Sequence, residues 1–102
     1  MKKSLRLTLI ANPFASSFSA RRVRVIERAL RSVGNLEVVH TTERGHATQI
    51  AIEAAEKEVD VVVVLAGDGT LNEAAQGLLH SKTALAPLPG GSTNVFARAI
   101  GY

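Results

Sequence analysis

Val59-Asp60-Val61-Val62-Val63-Val64-Leu65-Ala66-Gly67-Asp68-Gly69-Thr70-Leu71-Asn72-Glu73-Ala74-Ala75-Gln76-Gly77-Leu78-Leu79 changes its hydrophobic pattern partway through. Val61 to Leu65 is a continuous β-branched and aliphatic run, the signature of a strand buried on both faces of a parallel sheet. The run breaks at Gly67-Asp68-Gly69. From Leu71 the apolar residues fall at Leu71, Ala74, Ala75, Leu78 and Leu79, the one-sided spacing of a helix. Strand, glycine turn and helix together make a place where an anion can be held, because a helix N-terminus carries unpaired N–H groups and glycines let a phosphate come close to the backbone. The turn is neither a Walker A loop nor a complete dinucleotide fingerprint, since no Gly-Lys-Ser/Thr follows and Asn72 stands where the third glycine would be. A purely structural reading also fits: Thr70 and Glu73 have capping-box spacing, and the glycines would serve a tight turn.

Outward from this core the same alternation repeats. Leu5 to Ala11 reads as a first strand, ended by Asn12-Pro13, and a loop with Ser17 or Ser19 as cap leads into a helix. Val23, Ile26, Leu30 and Val33 share one side of that helix, Arg21, Arg24, Arg28 and Arg31 share the other, and Gly34 is expected to close it. The arginine stripe reads either as a solvated outer face or as a patch for anionic headgroups. Leu36 to His40 is a second strand. His46 to Lys57 is a second helix, with Ala47, Ile50, Ala51, Ala54 and Ala55 on one face. Ala84 to Leu88 is a fourth strand, stopping at Pro89-Gly90-Gly91, after which Ser92 or Thr93 would cap a last helical segment from Asn94 to Ile100.

Four strands alternating with helices predict a three-layer α/β/α, Rossmann-like domain on a parallel four-stranded sheet with right-handed crossovers. Every strand-to-helix loop must then leave from one edge. Asn12-Pro13, Thr41-Thr42, Gly67 to Thr70 and Gly90 to Thr93 are placed together there, on the edge where such folds bind ligands.

Bulk properties narrow the class. The chain has 102 residues, no cysteine and a net charge of +3. That is one domain, without disulfides or thiolate metal sites, in keeping with a cytoplasmic setting. No run is long enough for a membrane helix, and the first residues lack a signal-peptide core. Three phenylalanines and one tyrosine are too few for a stacking surface that binds single-stranded nucleic acid. His40, His46 and His80 share no metal-binding spacing.

Four pieces of this chain resemble, in order, the nucleotide-binding domain of the diacylglycerol kinase catalytic family, which includes lipid kinases acting on diacylglycerol, phosphatidylglycerol, sphingosine and ceramide, with NAD kinases as more distant kin. They are Asn12-Pro13, Thr41-Thr42-Glu43-Arg44-Gly45-His46-Ala47, Gly67-Asp68-Gly69-Thr70-Leu71-Asn72-Glu73, and Pro89-Gly90-Gly91-Ser92-Thr93-Asn94-Val95-Phe96-Ala97-Arg98. The resemblance implies an ATP-dependent transferase of lipid metabolism, most simply one that turns diacylglycerol into phosphatidic acid. NAD-kinase-like chemistry and a non-catalytic nucleotide-binding module are the alternatives.

The resemblance also implies ATP contacts at Asn12, Thr41, Ala66, Gly67, Asp68, Gly69, Thr70, Leu71, Asn72, Gly91, Ser92, Thr93 and Asn94, with Mg2+ near Asp68. The family has Gly where Ala66 stands, Thr for Ser92 and Asp for Val95. Asp60 lies before the buried strand, at the other end of the sheet, which leaves Asp68 as the only aspartate at the expected site. One acid cannot readily hold magnesium and also accept the proton of an attacking hydroxyl. Residues 1–102 are therefore expected to be the ATP-binding part of a longer kinase, inactive alone, whose β-rich second domain supplies the base and the lipid pocket. Surface normally covered by that domain would be free to pair two copies. A place at the inner membrane face is the corresponding expectation, with Arg21, Arg24, Arg28 and Arg31 as candidate contacts.

Overall fold

The structure, a computed structural model, describes residues 4–15 and 18–88. Its elements follow in the order β1 (Leu5–Ala11), α1 (Ala20–Arg31), β2 (Gly34–His40), α2 (His46–Glu56), β3 (Val61–Leu65), α3 (Asp68–Gly77) and β4 (Ala84–Leu88). The four strands form one parallel sheet in the order β2-β1-β3-β4. The α/β class and the parallel four-stranded sheet are those expected from the sequence.

Side-chain alternation along the strands divides the core in two. Leu7, Leu9 and Ala11 of β1, with Val63 and Leu88, pack beneath Val23, Ile26 and Leu30 of α1. Ile10, Val62 and Val64 point the other way and pack with Ala47, Ile50, Ala51 and Ala54 of α2 and Ala74 of α3. Leu9, Ile10, Val62, Val63 and Val64 are fully buried, and each such side chain contributes about 1.5–3 kcal/mol of transfer free energy. The apolar run in β3 is thus explained by helices on both sides.

At the N-terminal edge of the sheet, Asp60 joins three strands. Its carboxylate Oδ2 accepts from the Arg6 N–H at 2.8 Å, its own N–H donates to Arg6 O, and its carbonyl accepts from Ala84 N–H. The aspartate is spent on the sheet, at the end away from the glycine turn.

Several local expectations change in the folded chain. Ser19 caps α1, its Oγ accepting from Arg22 N–H at 3.2 Å. Gly34 does not close α1: the helix ends at Arg31 with Ser32 as C-cap, and Gly34 opens β2. There a β-carbon would collide with the Leu5 carbonyl of the neighbouring strand, so the glycine serves strand contact rather than a left-handed cap. Val33 likewise lies beyond the helix, although it packs on the α1 side of the core. Leu79 is 64% exposed, because α3 ends at Gly77 before the helical spacing can carry that residue onto the buried face. The helical segment expected at Asn94 to Ile100, with its Ser92 or Thr93 cap, lies outside the described residues.

Helices α2 and α3 touch at their small residues. A β-carbon on Gly77 would stand 2.5 Å from Thr48 O and 2.7 Å from Ala51 Cβ. Both neighbours are parts of packed helix that cannot rotate away. Gly77→Val should therefore force α2 and α3 apart and destabilise the domain by about 1–3 kcal/mol. A urea midpoint equal to that of the wild type would contradict this packing.

Candidate functional site

The strand order turns back on itself between β1 and β3, since the chain leaves β1 toward α1 on one face and leaves β3 toward α3 on the other. Loops diverge at such a reversal and leave a crevice at the C-terminal ends of the strands. Here it is an open cleft of about 450 Å³ lined by Asn12, Phe14, Thr41, Thr42, Glu43, Arg44, Gly69, Thr70 and Glu73.

Asn12, directly after β1, connects two of its walls. Its Oδ1 accepts from Phe14 N–H at 3.0 Å, bending the chain over Pro13, while its Nδ2 donates to Thr70 Oγ1 at 3.3 Å. The loop after β1 is thereby fixed to the first turn of α3. Thr41 continues the sheet, its N–H donating to Ala11 O at 2.9 Å, and the residue is buried. Beyond it the chain turns sharply. Thr42 N–H donates to His46 Nδ1 at 2.9 Å, and Gly45 takes a φ of +88°, where a β-carbon would be strained.

The capping box read from Thr70 and Glu73 does not form. Gly67 is the N-cap of α3, Thr70 lies inside the helix, and Glu73 turns to the neighbouring helix instead. Its Oε2 accepts from the Gly45 N–H at 3.0 Å, and its carbonyl accepts from Thr48 Oγ1 at 2.8 Å. A side chain expected to serve its own helix therefore secures the 41–45 loop, which forms another wall of the cleft.

Gly67, as N-cap, offers no side chain to the start of α3, and the first backbone amide taken up is that of Leu71, which donates to Gly67 O at 3.1 Å. The preceding amides, of Asp68, Gly69 and Thr70, have no capping side chain among the described residues. A β-carbon built on Gly67 or Gly69 would meet nothing within 4 Å among the described residues, and neither glycine has a positive φ. Among the described residues neither internal packing nor backbone strain demands glycine at these positions, so a tight turn does not by itself account for them. As far as the described residues go, glycine leaves open approach to the helix N-terminus, the geometry that suits a phosphate.

The remaining expected residues divide by position. Asp68 is exposed in the first turn of α3, with no hydrogen-bond or ion-pair partner among the described residues. Ala66 and Leu71 pack against the core shared by α2 and α3, and Asn72 is exposed outside the residues that line the cleft. Gly91, Ser92, Thr93, Asn94 and Val95 lie outside the described residues. Phe14, Thr42, Glu43, Arg44 and Glu73 line the cleft without having been given ligand contacts from the sequence. Arg44 is its only basic residue among those described, and no acid pairs with it among them. The motif Thr41 to Ala47 contained it, but sequence spacing could not say that its side chain borders the glycine turn.

Fold and cleft define an α/β domain that opens its ligand edge at a strand-order reversal and presents an uncapped helix start to it. The family model of the diacylglycerol kinase catalytic domain matches residues 6–102, and the chain belongs to that family. The diacylglycerol kinase of Bacillus subtilis (strain 168) is 36% identical over 100 residues, covering 94% of this chain and 33% of the relative. A protein of Klebsiella pneumoniae (strain 342) named a probable lipid kinase, YegS-like, is 39% identical over 83 residues, which cover 78% of this chain and 28% of its own. Among solved structures, a diacylglycerol kinase from Bacillus anthracis str. Sterne superposes with a TM-score of 0.70 at 34% identity, covering 99% of this chain and 38% of the other. The chain thus spans about a third of the length of the curated relatives it matches.

Glu73→Ala should free the Gly45 amide and loosen the 41–45 loop with little effect on the global fold. Hydrogen exchange at the Gly45 N–H should accelerate on the order of tenfold, as expected for loss of a hydrogen bond worth about 1 kcal/mol. Unchanged exchange would mean that Glu73 does not hold the loop.

Proposed function

We propose that this domain is the ATP-binding part of a lipid kinase that transfers the γ-phosphoryl group of ATP to a lipid hydroxyl, with diacylglycerol as the substrate and phosphatidic acid as the product. One observation carries the reading: among the described residues the β-carbon positions of Gly67 and Gly69 are open at an uncapped helix start, and Gly69 lines a cleft built by three strand-end loops. Membership of the diacylglycerol kinase family supports the phosphoryl-transfer class. The name of the Bacillus subtilis relative, which matches along 94% of this chain, supports the choice of diacylglycerol.

Bound Mg-ATP would supply the transferable phosphoryl group and the cation that neutralises its charge. The chain's own part is positioning and electrostatics, which dominate phosphoryl transfer. The amides at the start of α3 donate to phosphate oxygens, assisted by the positive end of the helix dipole. Asp68, exposed in that turn and without a partner among the described residues, is the acid assigned to magnesium in this reading. Arg44 adds positive charge from the opposite loop. The Asn12–Thr70 hydrogen bond and the Glu73–Gly45 hydrogen bond hold these loops in place before a ligand arrives, so less order has to be imposed on binding.

The proton acceptor for the lipid hydroxyl and the lipid pocket belong, in this reading, to the part of the relatives that this third of their length does not match. The domain alone would then bind nucleotide and transfer nothing.

Calorimetric titration with Mg-ATP tests the nucleotide site. Gly69→Val, whose β-carbon would meet nothing within 4 Å among the described residues, narrows the approach to the helix start and should lower affinity about tenfold or more. Equal affinity in a folded variant would reduce the glycine turn to a structural feature. In a full-length kinase bearing this domain, Asp68→Ala should cut diacylglycerol phosphorylation on the order of a hundredfold while leaving thermal unfolding unchanged. Retained activity would remove Asp68 from the mechanism. Preferential phosphorylation of phosphatidylglycerol or a sphingoid base would overturn the choice of lipid.

A further inference from the structure

Helix α1 carries five arginines against a single glutamate, a surplus greater than the whole chain's net charge of +3. The rest of the molecule is therefore slightly acidic, and the positive charge is concentrated on one element. That element covers the sheet face opposite α2 and α3.

The charges are not distributed as helix stability alone would favour. The first turn of α1 contains no acidic residue, although the positive end of a helix dipole favours Asp and Glu there. Arg21 and Arg22 occupy that turn and Arg24 follows it, each like in sign to the helix end. Arg31 suits the other end: it pairs with Glu27 at 2.9 Å and donates from Nη1 to Leu36 O at 3.1 Å. It thereby leaves the stripe to which its spacing assigned it. Arg21, Arg24 and Arg28 have no acidic partner among the described residues, and all three are exposed.

Together with Val25, which is 46% exposed, and Ala29, these three arginines line a shallow groove of about 430 Å³. The helical rise spaces Arg21 and Arg28 about 10 Å apart along the helix axis. A local rule broken on an exposed face without an internal gain points to an external partner.

We propose that the Arg21–Arg24–Val25–Arg28 face of α1 docks the protein onto an anionic lipid bilayer. Guanidinium groups pair with phosphodiester oxygens in a fork, and an aliphatic side chain among them can enter the interfacial layer. Among the described residues no aromatic lines the groove, which disfavours a single-stranded nucleic acid that would need stacking. The choice of a bilayer rests on the lipid-kinase reading, because a lipid substrate has to be met at a membrane surface.

Sedimentation of the chain with phosphatidylcholine vesicles, with and without phosphatidylglycerol, tests the surface in the absence of nucleotide. Binding should require phosphatidylglycerol and weaken with salt. Arg21→Glu/Arg24→Glu/Arg28→Glu should weaken it on the order of a hundredfold, at about fivefold or more per charge. Lys82→Glu, on an exposed residue outside the groove, should change it far less. Arg21→Glu alone should raise Tm by roughly 2 °C or more, since it restores the favoured charge at the helix start. The same change should weaken vesicle binding, a combination that a solvated helix face would not produce.

Equal sedimentation with and without phosphatidylglycerol would overturn the proposal, as would an unaffected triple variant or binding to RNA at concentrations that leave vesicles bare. A chain that binds anionic vesicles through α1 but binds no Mg-ATP would leave this surface standing and remove only the nucleotide reading.

Discussion

Strand β1 is paired in parallel with β2 on one side, from Leu5 opposite Gly34 to Ala11 opposite His40, and with β3 on the other, from Leu7 opposite Val61 to Ala11 opposite Leu65. Because both pairings are parallel, the chain must cross back over a sheet face after each strand, and right-handed crossovers leave little choice of path. The loops after β1, β2 and β3 consequently gather at one end. The Asp60 contacts with Arg6 and Ala84 anchor the other end of the sheet, away from the cleft.

Close helix packing then turns that shared edge into a cleft with defined walls. Gly77 and Ala51 let α3 settle against α2, and at this separation Glu73 can reach the Gly45 amide while Thr48 reaches the Glu73 carbonyl. On the other side, Asn12 ties the β1 loop to Thr70. Three loops from distant parts of the sequence are thus set by side-chain to backbone and side-chain to side-chain hydrogen bonds. Burial within the parallel sheet could bring the loops near one another, but these polar contacts determine their arrangement. Among the described residues the approach to the start of α3 is left open.

Much of this was legible in the sequence because burial leaves a periodic trace. The runs Leu5 to Ala11, Val61 to Leu65 and Ala84 to Leu88 coincide with strands, and the apolar spacing in His46 to Glu56 coincides with a helix. Errors arose where a tertiary partner displaced a local one. Thr70 and Glu73 have capping-box spacing, yet the Glu73 carboxylate accepts from Gly45 N–H just before α2, and the helix begins earlier, at Asp68. Arg31 has the spacing of the exposed stripe, but Glu27 and the Leu36 carbonyl draw it away. Gly34 has the position of a helix stop, but the edge of Leu5 requires a residue without a side chain. The cleft-lining roles of Phe14 and Arg44 left no periodic sign, because loop geometry decides where such side chains fall.

The central claim is that a nucleotide's phosphates sit against the start of α3, between the loops after β1 and β2. Amide chemical-shift mapping of the isotopically labelled chain during titration with Mg-ATP tests it most directly. The account predicts the largest shifts at Asp68, Gly69 and Thr70, with smaller ones at Asn12 and along Thr41 to Gly45, and little change at the N-terminal edge around Asp60. Saturable shifts centred elsewhere, or none in the folded protein, would contradict it.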